Sequence, residues 1–140
     1  MKRGMFVLLA LVVLVLATMG AAAAVAAQDH ITVRLMPVNG SGVHGIVDLQ
    51  QLSPSGTHID VTARGLKPRH GYVSLYYDNH VCALEPYSQE DVIGGRYRAD
   101  KHGIGRTSGD ADDDLDEINS VSVRRASDFK LLACADVHPS

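Results

Sequence analysis

Seven histidines, two cysteines and one dense acidic run are the residues of this 140-residue chain whose side chains could hold a metal or move a proton. The histidines are His30, His44, His58, His70, His80, His102 and His138, and none stands at the tight spacing of a metal-binding pair. His44 and His58 fall on the outward faces of two segments that read as neighbouring strands. Directly opposite one another they would form a weak surface metal site; otherwise they are solvated surface histidines. His80 lies in a loop close to Cys82, as a loop residue or a stray ligand. The run SGDADDDLDE, Ser108 to Glu117, places carboxylates at Asp110, Asp112, Asp114 and Asp116, an alternation like the start of a calcium-binding loop. Such a loop needs glycine at its sixth position and glutamate at its twelfth, where this chain has Leu115 and Val121. The run therefore reads as a solvated acidic loop, with a weak cation site as the alternative. No nucleophile, base and acid can be grouped by spacing, and there is no phosphate-binding loop motif.

The setting of these residues is decided by the first 27. Lys2 and Arg3 precede an apolar stretch from Phe6 to Ala17, and small residues follow up to AAAAVAAQD. Val25 and Ala27 occupy the −3 and −1 positions of a signal-peptidase site before Gln28. The expected domains are a signal peptide over 1–27 and one folded domain over 28–140, exported to a periplasmic, extracellular or envelope compartment. An uncleaved anchor is the alternative, because Met5 to Ala27 is long enough to span a bilayer. Lys2 and Arg3 leave with the signal, so 13 basic residues become 11 against 16 acidic ones and the mature charge is −5. That balance argues against nucleic acid and anionic membranes as partners. Cys82 and Cys134 both remain. In an oxidising compartment two cysteines of a small domain usually pair, whereas zinc usually takes closely spaced Cys-x-x-Cys ligands, which are lacking.

The elements are short and alternating. ITVRLMPV, Ile31 to Val38, places Ile31, Val33 and Leu35 on one face and Thr32, Arg34 and Met36 on the other. VHGIVDLQQL follows, interrupted by Gly45, where a bulge is expected. THIDVTARGL turns Ile59, Val61 and Ala63 inward. GYVSLYYDN is a fourth strand, in which Tyr72 and Tyr76 share one face and Tyr77 takes the other; one face is expected to be core and the other a possible contact surface. Two short strands around DKHG, then INSVSVRRA and KLLACADV, complete the set. Near-regular strands with Gly and Pro turns and no helical period indicate an all-β antiparallel sandwich or barrel.

Several of these segments in order resemble the copper/zinc superoxide dismutase family. VRLMPVNGSGVHGIVDLQQ is similar to its first hairpin, and GLKPRHGY to its Gly-Leu-x-x-Gly-x-His-Gly-Phe motif, one residue shorter. ADKHGIG resembles its Ala-Asp-x-x-Gly corner, and LLACADV its terminal Arg-Leu-Ala-Cys-Gly strand. The resemblance covers nearly all of the mature chain. It implies a Greek-key β-barrel, an intrasubunit disulfide between Cys82 and Cys134, and a framework role for His70 as a hydrogen-bonded structural residue.

The resemblance also shows what is missing. The family carries two copper ligands at the second and fourth positions after the glycine of its His-Gly pair; here these are Val73 and Leu75. Its zinc loop corresponds to ALEPYSQEDVIGG, which has no histidine. Its last copper histidine would fall around Arg124 or Arg125, and its substrate-guiding arginine is replaced by Leu131, beside Lys130. The slots at Val73 and Leu75 are expected to be buried apolar packing. The expected function is a non-enzymatic binding or structural module with no cofactor and an unknown partner, for which a protein is the candidate. The alternative is a dismutase or metal-handling protein with a rearranged site.

Overall fold

The computed structural model describes residues 29–86 and 91–140. The signal segment expected over 1–27 lies outside the described residues. Eight antiparallel strands follow: β1 His30–Pro37, β2 His44–Gln51, β3 Thr57–Arg64, β4 Gly71–Tyr77, β5 Tyr97–Arg98, β6 Gly105–Ala111, β7 Ser120–Arg125 and β8 Leu131–Asp136. They form one sheet in the order β5-β4-β7-β8-β1-β2-β3-β6. The all-β antiparallel barrel expected from the alternating pattern is the observed fold.

The sheet is nearly closed by a segment that is not itself a strand. Ile93 donates its N–H to the Ser74 carbonyl on β4, and its own carbonyl accepts the Thr107 hydroxyl from β6 at 2.8 Å. Gly94 follows at φ +64, and a Cβ there would run into the Ser108 carbonyl of β6. Only glycine lets the chain pass this close in that conformation. Closure leaves few unpaired strand edges, which otherwise invite association.

Alternation fills the barrel interior. Leu35, Val47, Leu49, Ile59, Val61, Tyr72, Tyr76, Val121, Val123, Ala133 and Ala135 all point inward and are buried. Gly45 makes no bulge. It keeps regular register with Leu35 and Ala63, and the absent Cβ gives room to the Thr62 carbonyl of β3. The irregularity falls instead between Val123 and Arg124, where the partner on β8 jumps from Ala133 to Leu131. One residue, Leu132, is thereby added on β8, as a bulge requires. Leu132 and Ala133 both reach the barrel interior, while Leu131 and Cys134 both face out.

Candidate functional site

β4 is buried on both faces. Tyr72 and Tyr76 pack inside the barrel, as their shared parity predicts, and Val73, Leu75 and Tyr77 line the outer face. That outer face is not an open contact surface. Val73 is 2 % exposed and Leu75 0 %, covered by a second apolar cluster of Cys82, Val92, Phe129, Leu131 and Cys134. The cover comes from the segment after β4, which bridges back at Leu75–Val92, and from the β7–β8 turn and the start of β8.

The two cysteines fasten this cover. Cys82 and Cys134 are disulfide-bonded with Cα atoms 6.0 Å apart, so the expected pairing is present. Cys82 is fully buried, and its N–H donates to the Ser120 hydroxyl.

Arg124 lies in the same cluster, directly across from Val73 on the β4–β7 pair. It is 5 % exposed, although arginine is almost never buried without partners. Its Nε donates to the Tyr77 hydroxyl at 2.8 Å, one terminal nitrogen to the Phe129 carbonyl at 2.7 Å, and the other to the Cys82 carbonyl at 2.6 Å. The guanidinium carbon also stands 5.9 Å from the Tyr77 ring centroid, within cation–π range. Tyr77 in turn shares a hydrogen bond with Ser122. One cation thus ties three pieces of chain together without a carboxylate.

Copper needs several imidazoles converging on one point. The positions that the resemblance assigns to its ligands carry two aliphatic side chains and a fixed guanidinium. Valine and leucine donate no electron pair, and a buried positive charge repels a second cation. The residues present do not fit copper. Leu131, which the resemblance sets at the position of the substrate-guiding arginine, packs against the same cluster.

The histidines are dispersed. His44 pairs with Arg64 and His58 with Gln50, at opposite ends of the β2–β3 ladder, so they form no joint site. His58 Nδ1 is 2.5 Å from Asp110 Oδ1, and Ser108 Oγ lies 3.0 Å from its Nε2. The hydrogen bond with Asp110 raises its pKa, with burial opposing and the nearby Asp60 charge adding to the rise. His80 Nδ1 meets Asp136 at 2.8 Å. His70 is exposed, and its backbone, bonded to Lys67 and Ala99, is what ties it to the fold. Among the described residues no three His, Cys, Asp or Glu side chains converge as a metal site. Burial pushes Tyr97 up to about 12, so its hydroxyl, hydrogen-bonded with Ser74, is no proton acceptor at neutral pH.

The acidic run is a folded cap rather than a solvated loop. Asp110 belongs to β6. Asp114 accepts hydrogen bonds from the Gly56 N–H and Gln51 Nε2, which hold its carboxyl below the usual range. Glu117 accepts the Asp114 N–H, and Leu115 is buried with its own N–H on Gln51. Asp110, Asp114 and Glu117 are therefore all engaged by the chain itself.

Nothing in the sequence alone assigns a task to Arg124 or Arg125, where the resemblance sets the last copper histidine. The register shift at Val123/Arg124 and the loop carbonyls decide it, and both arise only in the folded barrel. No known protein-family model matches this chain, and no curated protein matches it.

Proposed function

We propose that this chain is an exported domain of the superoxide dismutase type whose metal pocket has become a second apolar core, and that it acts as a non-enzymatic binding or structural module. The ordered motifs of the sequence and the antiparallel barrel support the ancestry. The N-terminal basic and apolar pattern supports export, and the disulfide suits an oxidising compartment.

One observation carries the loss of chemistry. The Arg124 guanidinium shares the outer face of the sheet with Val73 and Leu75 and donates to Tyr77 and Cys82. A metal pocket emptied by mutation alone would leave a cavity or a wet cleft. Here the space is filled by packed side chains and a satisfied cation, and no buried side-chain nitrogen or oxygen among the described residues lacks a partner.

The test is metal analysis of the secreted, purified protein after exposure to copper and zinc and dialysis against a mild chelator. The proposal expects less than about one tenth of an equivalent of copper, because the imidazole set is missing. Stoichiometric retained copper with superoxide-consuming activity would establish the alternative, a dismutase with a rearranged site.

A further inference from the structure

The charges of the barrel are sorted by end. Antiparallel order gathers the turns 38–43, 65–70, 99–104 and 126–130 at one end. Lys67, Arg69, Lys101 and Lys130 stand in these turns, with Arg98 and Arg125 at the adjoining strand ends. The carboxylates there, Asp100 and Asp128, are already engaged. Asp100 accepts the His102 and Ile104 N–H groups, and Asp128 accepts the Lys130 N–H and meets Arg125 Nε at 3.4 Å. At the opposite end, the described segments 78–86 and 111–120 hold no lysine or arginine.

Two clefts open on the basic end. The larger, of about 400 Å³, is lined by Lys67, His70, Tyr72, Arg125 and Ser127 among others. The smaller, of about 260 Å³, is lined by Gly71, Arg96, Tyr97, Arg98 and Ala126. They adjoin where β4 meets β7: Tyr72 pairs with Arg125, and Ala126 donates its N–H to the Gly71 carbonyl. Among the described residues, Lys67, Arg96 and Arg98 form no ion pair with a carboxylate. The floor is held by backbone bonds, Leu66 to Gly103, Arg69 to Ala99 and Ala99 to His70. Arg69 is kept at φ 63, a conformation unfavourable for a non-glycine residue, which marks a turn fixed by its surroundings.

Unpaired cations on a rigid, concave floor are the elements of an oxyanion site, since guanidinium forks match the geometry of phosphate and sulfate. We infer that this end of the barrel binds a compact multivalent oxyanion, a ligand carrying two or more phosphate or sulfate groups. Lys67 takes one group, beside Arg125, whose Nε already meets Asp128, and Arg96 and Arg98 take the next. The protein's net negative charge does not oppose this, because charges beyond a Debye length of about 8–10 Å are screened at ordinary salt. The inference rests on reading the domain as a binding module and gives that module its ligand class.

The experiment is isothermal titration of the purified mature protein at low salt with two probes, tripolyphosphate and sucrose octasulfate. One saturable site is expected for at least one probe, and the tighter probe identifies phosphate or sulfate as the source. Lys67→Ala combined with Arg98→Ala should weaken that binding at least about tenfold, as two charge-assisted contacts are lost. Arg34→Ala, an exposed cation on the outer face of β1, should leave it unchanged. Thermal melts matching the wild type verify that the variants are folded. No saturable binding of either probe at millimolar concentration, or equal weakening by Arg34→Ala, overturns the inference. Retained copper would overturn the metal-free reading of the module without touching this result, so the two failures are distinguishable.

Discussion

Val73 and Arg124 sit directly across from each other on β4 and β7, and the guanidinium of one closes over the apolar face that the other begins. The arginine links the Tyr77 hydroxyl to two carbonyls, at Cys82 and Phe129, that belong to different loops. Removing it takes the guanidinium donors from the Cys82 and Phe129 carbonyls and leaves the Tyr77 hydroxyl with Ser122 alone.

Arg124→Ala should therefore destabilise the domain by about 3 kcal/mol or more, since each buried polar group left unpaired costs about 1–3 kcal/mol. Arg124→Lys should recover only part of this, because one ammonium cannot reproduce the fork that reaches three acceptors. Urea melts of the three proteins measure it. An alanine variant within about 0.5 kcal/mol of wild type, the usual range for an unconstrained surface change, would show that the clamp does not hold the cover down.

Reduction of Cys82–Cys134 should lower the melting temperature markedly. The bond closes a separation of 52 residues. Loop-closure entropy puts that at roughly 4 kcal/mol, a large part of the roughly 5–15 kcal/mol typical of native domains. Thiol titration of the purified native protein, followed by thermal melts with and without reductant, checks both the bond and its weight. Two titratable thiols in the native protein would contradict the structure.

The His58–Asp110 contact sets a pH dependence. Asp110 raises the histidine's folded-state pKa above its ordinary value of 6.5. A raised value means that the contribution to stability is fully present below pH 6.5 and is lost as pH rises through the folded-state value. Proton NMR titration should show His58 titrating later than an unstructured histidine. Asp110→Asn should bring it back toward 6.5 and flatten the fall in stability above that pH. The side chain is 37 % exposed, so the effect is small and screened by salt.

Much of the barrel was legible because each strand obeys period two. Ile59, Val61 and Ala63 turn inward as their alternation demands, and the tyrosines of β4 divide between faces by parity alone. The burial of Val73 and Leu75 was legible for the same reason, once the face was known to be covered. What covers it was not. Phe129 and Val92 reach the face through turns and a single bridge, which carry no periodic signal. His58 meets Asp110 only through the β3–β6 pairing, 52 residues apart in the chain, and the alternation that places His58 outward does not say which strand lies beside it. The acidic run misled for a similar reason. It reads as a solvated loop because nothing nearby in the chain pairs its carboxylates, yet Gln51 at the end of β2 and Gly56 in the turn after it claim Asp114 from about 60 residues earlier.

The most direct test of the proposal that a metal face has been filled is the double variant Val73→His/Leu75→His, followed by urea melts with and without added copper. Both side chains are nearly inaccessible, so the two imidazoles would displace apolar packing and lack partners. Unpaired buried polar groups cost about 1–3 kcal/mol each, and lost packing adds to that. The account predicts destabilisation by about 4 kcal/mol, no rescue by copper and no dismutase activity. A double variant as stable as wild type without metal would contradict it, because the face would then be open to solvent and the ligand slots an empty cleft.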